Sequence, residues 1–190
     1  MPTAFIAIDF INDIVHPSGE ISAVAKHVEQ RAVLSRVNTA LEYARKLDWL
    51  VILIKVGFSA SYREQPKKSP VFGKANENRI LELGQWGTEF HEGLHVDPSD
   101  LIIVKPRINP FYGTGLDAAL RANDVERLVL SGVSTTWAIE SAARDAHDRD
   151  YEVVVLEDAC AASNDKEHAN SLTTLSQLAN VTTVNQLMAS

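Results

Sequence analysis

Six short runs rich in valine, isoleucine and leucine recur along the chain, at residues 4–9, 50–56, 101–105, 127–133, 152–156 and 181–184. Most are nearly continuous in apolar residues instead of alternating with polar ones, which is how a strand reads when both faces of its sheet are covered. Between them lie longer stretches with helical spacing. Strands that alternate with helices make right-handed crossovers and form a parallel sheet between two helical layers. The expected fold is therefore α/β, a three-layer α/β/α sandwich with a mostly parallel central sheet.

The helical stretches carry their own signals. Val33, Val37, Leu41 and Ala44 form one apolar stripe. A second helix is expected near Thr114, whose hydroxyl would cap it with Asp117 at N3. A third should run over 137–149, where Ala138, Ala142 and Ala146 allow close approach to the sheet. A fourth should follow Asn164, with Glu167 at N3 and Leu172, Leu175 and Leu178 facing inward. The stretch 57–77, rich in Ser, Pro and Lys, reads as a long loop or lid.

Length and charge limit what such a fold can do. The 190 residues match a single domain over 1–190. A net charge of -7 argues against nucleic acid as a partner, although a local cationic pocket for a small anion remains compatible with it. No stretch approaches 18 apolar residues and no leader-like N-terminus is present, so the expected setting is cytoplasmic, away from membranes. The single cysteine, Cys160, excludes an internal disulfide and a cysteine-only metal cluster. No GxGxxG or Walker A sequence calls for a nucleotide, and no cofactor is expected.

In parallel α/β sheets ligands bind outside the carboxyl ends of the strands. Asp9 ends the first run there and Lys105 the third, so the two can form a coupled acid/base pair or a structural salt bridge. Asp13 reads as a surface or local hydrogen-bonding residue, with Asn12 holding the loop. The fourth run enters a turn at Val133, Ser134 and Thr135, where backbone N–H groups can meet an anion, or where Thr135 or Thr136 simply caps a helix. Trp137, Phe111 and Tyr112 are candidates for the pocket wall or for ordinary packing. Arg107 and Arg63 are candidates to meet a substrate carboxylate if the long loop folds inward.

Taken together, Asp9, Lys105 with Asn109-Pro110-Phe111-Tyr112-Gly113-Thr114, the Gly132-Val133-Ser134-Thr135 turn, and Asp158-Ala159-Cys160-Ala161 followed by His168 resemble the isochorismatase-like hydrolase superfamily. The resemblance covers nearly the whole chain and implies a Rossmann-like isochorismatase fold, a homo-oligomer, a small-molecule substrate and a non-proline cis peptide in the turn. It also implies an Asp–Lys–Cys triad in the amide-hydrolysing branch. Asp9 and Lys105 match two members, but the nucleophile position falls on Ala138, whose methyl cannot attack a carbonyl. Cys160 lies elsewhere and reads as a buried small hydrophobe.

The metal site of some relatives would fall on Lys55-Val56-Gly57-Phe58-Ser59-Ala60-Ser61, which holds neither Asp nor His, and Gly93 interrupts the nearby His91, His95 and Asp97; no metal is expected. His16, His27, His147 and His168 read as capping, surface or packing residues. True isochorismatases, in the same resemblance, lack the thiol and hydrolyse a vinyl ether. The leading expectation is thus a hydrolase with an Asp9–Lys105 acid/base frame. Two alternatives stand beside it: an amide or carbamoyl hydrolase whose cysteine has been replaced by Ala138, and a binding protein that kept the scaffold.

Overall fold

The computed structural model describes residues 1–189. Its elements in chain order are β1 (Thr3–Ile8), α1 (Asn12–Val15), α2 (Ala25–Gln30), α3 (Val33–Lys46), β2 (Leu50–Val56), α4 (Ala75–Asn78), β3 (Leu101–Lys105), α5 (Leu116–Ala122), β4 (Arg127–Val133), α6 (Glu140–Asp148), β5 (Glu152–Ala161), α7 (Asp165–Leu175), β6 (Asn180–Thr182) and α8 (Val184–Met188). The strands form one sheet in the order β3-β2-β1-β4-β5-β6, and every pairing is parallel.

Alternate residues of the same apolar strand feed opposite cores, because successive side chains point to opposite faces. Ile6, Ile8, Ile52, Ile54, Leu128 and Leu130 face Leu116 and Leu120 of α5, Ala142 and Ala146 of α6, and Leu175 of α7. Phe5, Ala7, Val51, Leu53 and Val129 face the Val33, Val37, Leu41 and Ala44 stripe of α3, joined by Val28 and Leu187. The result is the three-layer α/β/α sandwich. A smaller apolar cluster, with Ile11, Val56, Phe58, Tyr62, Phe72 and Leu81, sits beneath the loops that follow β2.

Several boundaries depart from the sequence expectation for local reasons. Asp9 lies just outside β1, since its backbone turns left-handed at φ 61°. β5 runs on to Ala161, past the expected end at 156, with an irregular register opposite β4; the polar Glu157 and Asp158 conceal the extension. β6 stops at Thr182 because Thr183 caps α8 in a reciprocal box with Gln186. Gly115 holds the N-cap position of α5, but the Thr114 hydroxyl still caps it by accepting from the Leu116 N–H at 3.2 Å while donating to the Pro110 carbonyl. The expected helix over 137–149 opens as a π-helical turn, Thr135–Ile139, before α6 begins. Leu178 lies beyond α7 but still packs against the core.

The 57–77 stretch is less open than a free lid. It contributes Phe58, Tyr62 and Phe72 to the third cluster and ends in the short α4. Asp13 is buried, not at the surface: it accepts from the Leu81 N–H at 2.9 Å. A side chain at Gly87 would put a Cβ 2.4 Å from the Asp13 carboxyl, so glycine there permits the 80s loop to close over it. Asn12 donates to the Trp86 carbonyl and ties down the same loop.

Candidate active site

Three adjacent strand ends build one polar cluster. Asp9 follows β1, and its N–H continues the ladder by donating to Ile54 of β2 at 2.8 Å. The left-handed turn there swings the carboxylate across the end of β2, where Oδ1 accepts from the Val56 N–H at 2.8 Å. Lys105, paired in register with Val56 at the end of β3, brings Nζ to 2.7 Å from Asp9 Oδ2 and donates to the Ile108 carbonyl at 2.9 Å. Asp9 is 4% exposed and Lys105 1%. Burial pushes the Asp9 carboxyl above its ordinary range, opposed by the Lys105 charge and by the hydrogen bonds from Lys105 and Val56.

The next strand end supplies the wall. At Gly132 of β4, φ is 141° and a Cβ would stand 2.3 Å from the Ile8 carbonyl oxygen, so only glycine lets β4 pass this close to β1. The Val133–Ser134 peptide that follows is cis. Ser134 Oγ accepts from the Trp137 N–H at 3.3 Å. The π-helical turn then places Ala138 beside Val133 and Trp137 on the wall of a cavity of about 310 Å³. Asp9 and Lys105 line the same cavity, and the rest is mainly apolar, including Ile14, Val24, Phe72, Leu81 and Ile108. That volume is at the lower end for small-molecule pockets.

Thr135 belongs to the other side of the turn. It is fully buried, and its hydroxyl meets His168 Nδ1 at 2.8 Å. Burial, then the Arg31 charge, lowers the His168 pKa to about 4, so the ring is neutral near neutral pH. Its Nε2 stands 3.6 Å from Glu157, too far for a hydrogen bond. His27 packs edge-on against it and meets Ala162 and Asp165, while Arg31 holds the Glu157 side chain and carbonyl. This network braces the turn from behind and does not line the cavity.

The remaining sequence candidates separate. Trp137 lines both the inner cavity and a wider cleft beside it. Arg107 and Tyr112 line that outer cleft only. Phe111 is buried in the core, stacked on Tyr151 and with the Arg149 guanidinium 4.7 Å from its ring centroid. Arg63 is exposed and lines neither space. Cys160 is buried in β5 and its thiol is pushed up to about 12 by burial, which leaves no thiolate near neutral pH. Among the described residues no three His, Cys, Asp or Glu side chains gather as a metal-binding group. Sequence reasoning missed most of the cavity wall; its only hint was apolar pairs such as Val71-Phe72 and Ile80-Leu81 set in polar loops.

The fold recurs in solved structures. A cysteine hydrolase from Pseudomonas syringae pv. phaseolicola superposes with a TM-score of 0.88 at 25% identity, covering 98% of this chain and 91% of the other. An isochorismatase family protein from Desulfovibrio vulgaris gives 0.87 at 25% identity, with 97% and 95% covered. One from Burkholderia thailandensis gives 0.79 at 26% identity, with 98% and 94% covered. The model of the Isochorismatase domain matches residues 3–186, a span that holds all six strands, both members of the Asp9–Lys105 pair and the turn bearing Ala138, and the chain belongs to that family.

Proposed function

We propose that the protein hydrolyses a small enol ether by acid catalysis from Asp9, with no covalent enzyme intermediate. The observation that carries this reading is the buried Asp9–Lys105 pair, 2.7 Å apart, at a cavity whose wall presents a methyl group at Ala138. A carboxyl held above its ordinary range keeps its proton further toward neutral pH than a free aspartic acid does, which suits a general acid. An enol ether needs such an acid, because its slow step is protonation of carbon.

The protonated Asp9 delivers its proton to the terminal vinyl carbon, and positive charge develops on the ether carbon and oxygen. Lys105 stabilises the Asp9 carboxylate left behind. Water adds to the cationic carbon and returns one proton to Asp9. The resulting hemiketal or hemiacetal breaks its C–O bond to give an alcohol and a carbonyl compound, so ether and water account for both products. The apolar walls limit competing solvent around the pair. Ala138 leaves room for the substrate where a thiol would otherwise stand.

The test is release of acetaldehyde from butyl vinyl ether, with pyruvate release from isochorismate as the contrasting ether that carries a carboxylate on its vinyl carbon, each compared between the wild type and Asp9→Asn. General acid catalysis contributes about 10²–10⁴-fold, and a loss of that size in Asp9→Asn is expected. The wild-type rate should also decline as pH rises through the Asp9 pKa. Turnover unchanged in Asp9→Asn would overturn the role of Asp9. A second reading follows from the place of Ala138 on the same wall: if neither ether is cleaved but Ala138→Cys hydrolyses nicotinamide, the frame serves amide hydrolysis. Binding without turnover in every variant would leave the scaffold as a binding protein.

A further inference from the structure

The inner cavity has a neighbour of different chemistry. A cleft of about 760 Å³ adjoins it, and Phe72, Ile108 and Trp137 line both spaces. The inner wall is mainly apolar, and its one ammonium, Lys105, is already engaged by Asp9 and the Ile108 carbonyl. The outer wall combines apolar surface with three guanidinium groups and two carboxylates. Arg144 meets Glu140 at 2.7 Å, and Arg149 meets Asp145 at 2.6 Å and Asp117 at 3.4 Å. Asn109 donates to the other Asp145 oxygen at 2.7 Å. Both carboxylates of the cleft are thereby matched.

Arg107 is left over. Its Nη1 donates to the Glu64 and Pro106 carbonyls at 3.0 and 2.6 Å, and its guanidinium stands 5.6 Å from the Tyr112 ring centroid. No carboxylate pairs with it among the described residues, and its Nε and Nη2 donors are unengaged. Carbonyl partners orient the fork without cancelling its charge, which is a prepared seat for a carboxylate. Thr136 on the same wall keeps its Oγ1 buried and without a hydrogen-bond partner among the described residues, so of the two it is Arg107 whose donors are open to the cleft.

We infer that the outer cleft is a subsite for an anionic end of the substrate, a carboxylate held by Arg107, while an uncharged apolar end passes Phe72, Ile108 and Trp137 into the inner cavity. The substrate class is an elongated molecule with one apolar reacting end and one carboxylate tail. This rests on the inner cavity being the place of reaction. A second carboxylate seated beside Asp9 would instead enter apolar surroundings with no free cation, at a desolvation penalty.

Calorimetric titration with 4-phenylbutanoate and with 4-phenylbutanamide tests it, since the two share a shape and differ in charge. The wild type should bind the acid about tenfold more tightly than the amide. Arg107→Gln should equalise them, and Arg107→Lys should restore part of the difference. Ala23→Phe, at the inner cavity, should weaken both probes alike. The subsite is wrong if the wild type binds neither probe or does not discriminate, if Arg107→Gln weakens both equally, or if Ala23→Phe affects neither. No bond breaks in these titrations. Turnover of butyl vinyl ether, which has no anionic end, judges the acid at Asp9 separately.

Discussion

Asp100 and Asp9 are both buried and closely paired with a cation, and they are used differently. Asp100 meets Arg45 through both oxygens, at 2.6 and 3.1 Å, and also accepts from the Asp97 N–H. Arg45 completes its fork on the His95 carbonyl and remains 22% exposed. Every strong direction is taken and the cation keeps contact with water, so the pair fastens a loop. Asp9 has one cation and one backbone N–H, and its partner Lys105 is as buried as itself. That pair faces the mainly apolar cavity of about 310 Å³, whereas Arg45 and Asp100 border a more polar pocket of about 410 Å³. Burial of an ion pair beside open space is thus a poor sign of a site taken alone; what distinguishes Asp9 is sparse coordination, deep burial of both partners and the apolar lining around them.

The sharpest way to break this contrast is Lys105→Met. It leaves Asp9 buried with only the Val56 N–H, and removal of one partner of a buried pair costs about 3–5 kcal/mol. Urea denaturation near neutral pH should show a loss of that order. The loss should shrink in acid, where a protonated Asp9 needs no cation. A loss that stays constant with pH would mean that Asp9 carries no charge to be compensated.

The next effect is a slope. The Asp9 pKa in the folded protein lies above its ordinary value of 3.8, so the unfolded chain releases this proton first as pH rises. The stabilising contribution is therefore complete below about pH 3.8 and is lost as pH climbs through the folded value. Wild type minus Asp9→Asn should fall across that window, by at most about 1.4 kcal/mol per pH unit for one proton. A flat difference would show that Lys105 offsets the whole burial penalty.

The two pairs also mark how far the sequence can be read. Both Asp9 and Lys105 were legible because a charge that ends an apolar run interrupts the pattern at the edge where ligands collect. The sheet itself was legible because Ile6 and Phe5, neighbours in sequence, are both apolar and serve opposite cores. The cavity wall was not, since Ile14, Phe72 and Ile108 come from irregular segments whose approach depends on tertiary packing. Asp13 misled for the same reason: its partner Leu81 is a loop residue far along the chain. Phe111 read equally as wall or as packing, and Tyr151, ahead of β5, decided for packing by offering it a ring to stack on. Thr135 sat at the correct turn but faces His168, because a turn fixes the path of the backbone and leaves the face of each side chain to packing.

The smallest expected effect tests the other member of the comparison. Asp100→Asn keeps the side-chain shape and one acceptor, while Arg45 retains the His95 carbonyl and its contact with water. No charge becomes stranded in an apolar interior, so the cost should be on the order of 1 kcal/mol, far below that of Lys105→Met. The loss should be greatest at low salt, because the partly exposed guanidinium is open to screening. Urea midpoints measured at low and high salt would check both statements. A loss matching that of Lys105→Met would place the two pairs on the same footing and make the apolar lining of its cavity, and no longer burial of the cation, the feature that sets Asp9 apart.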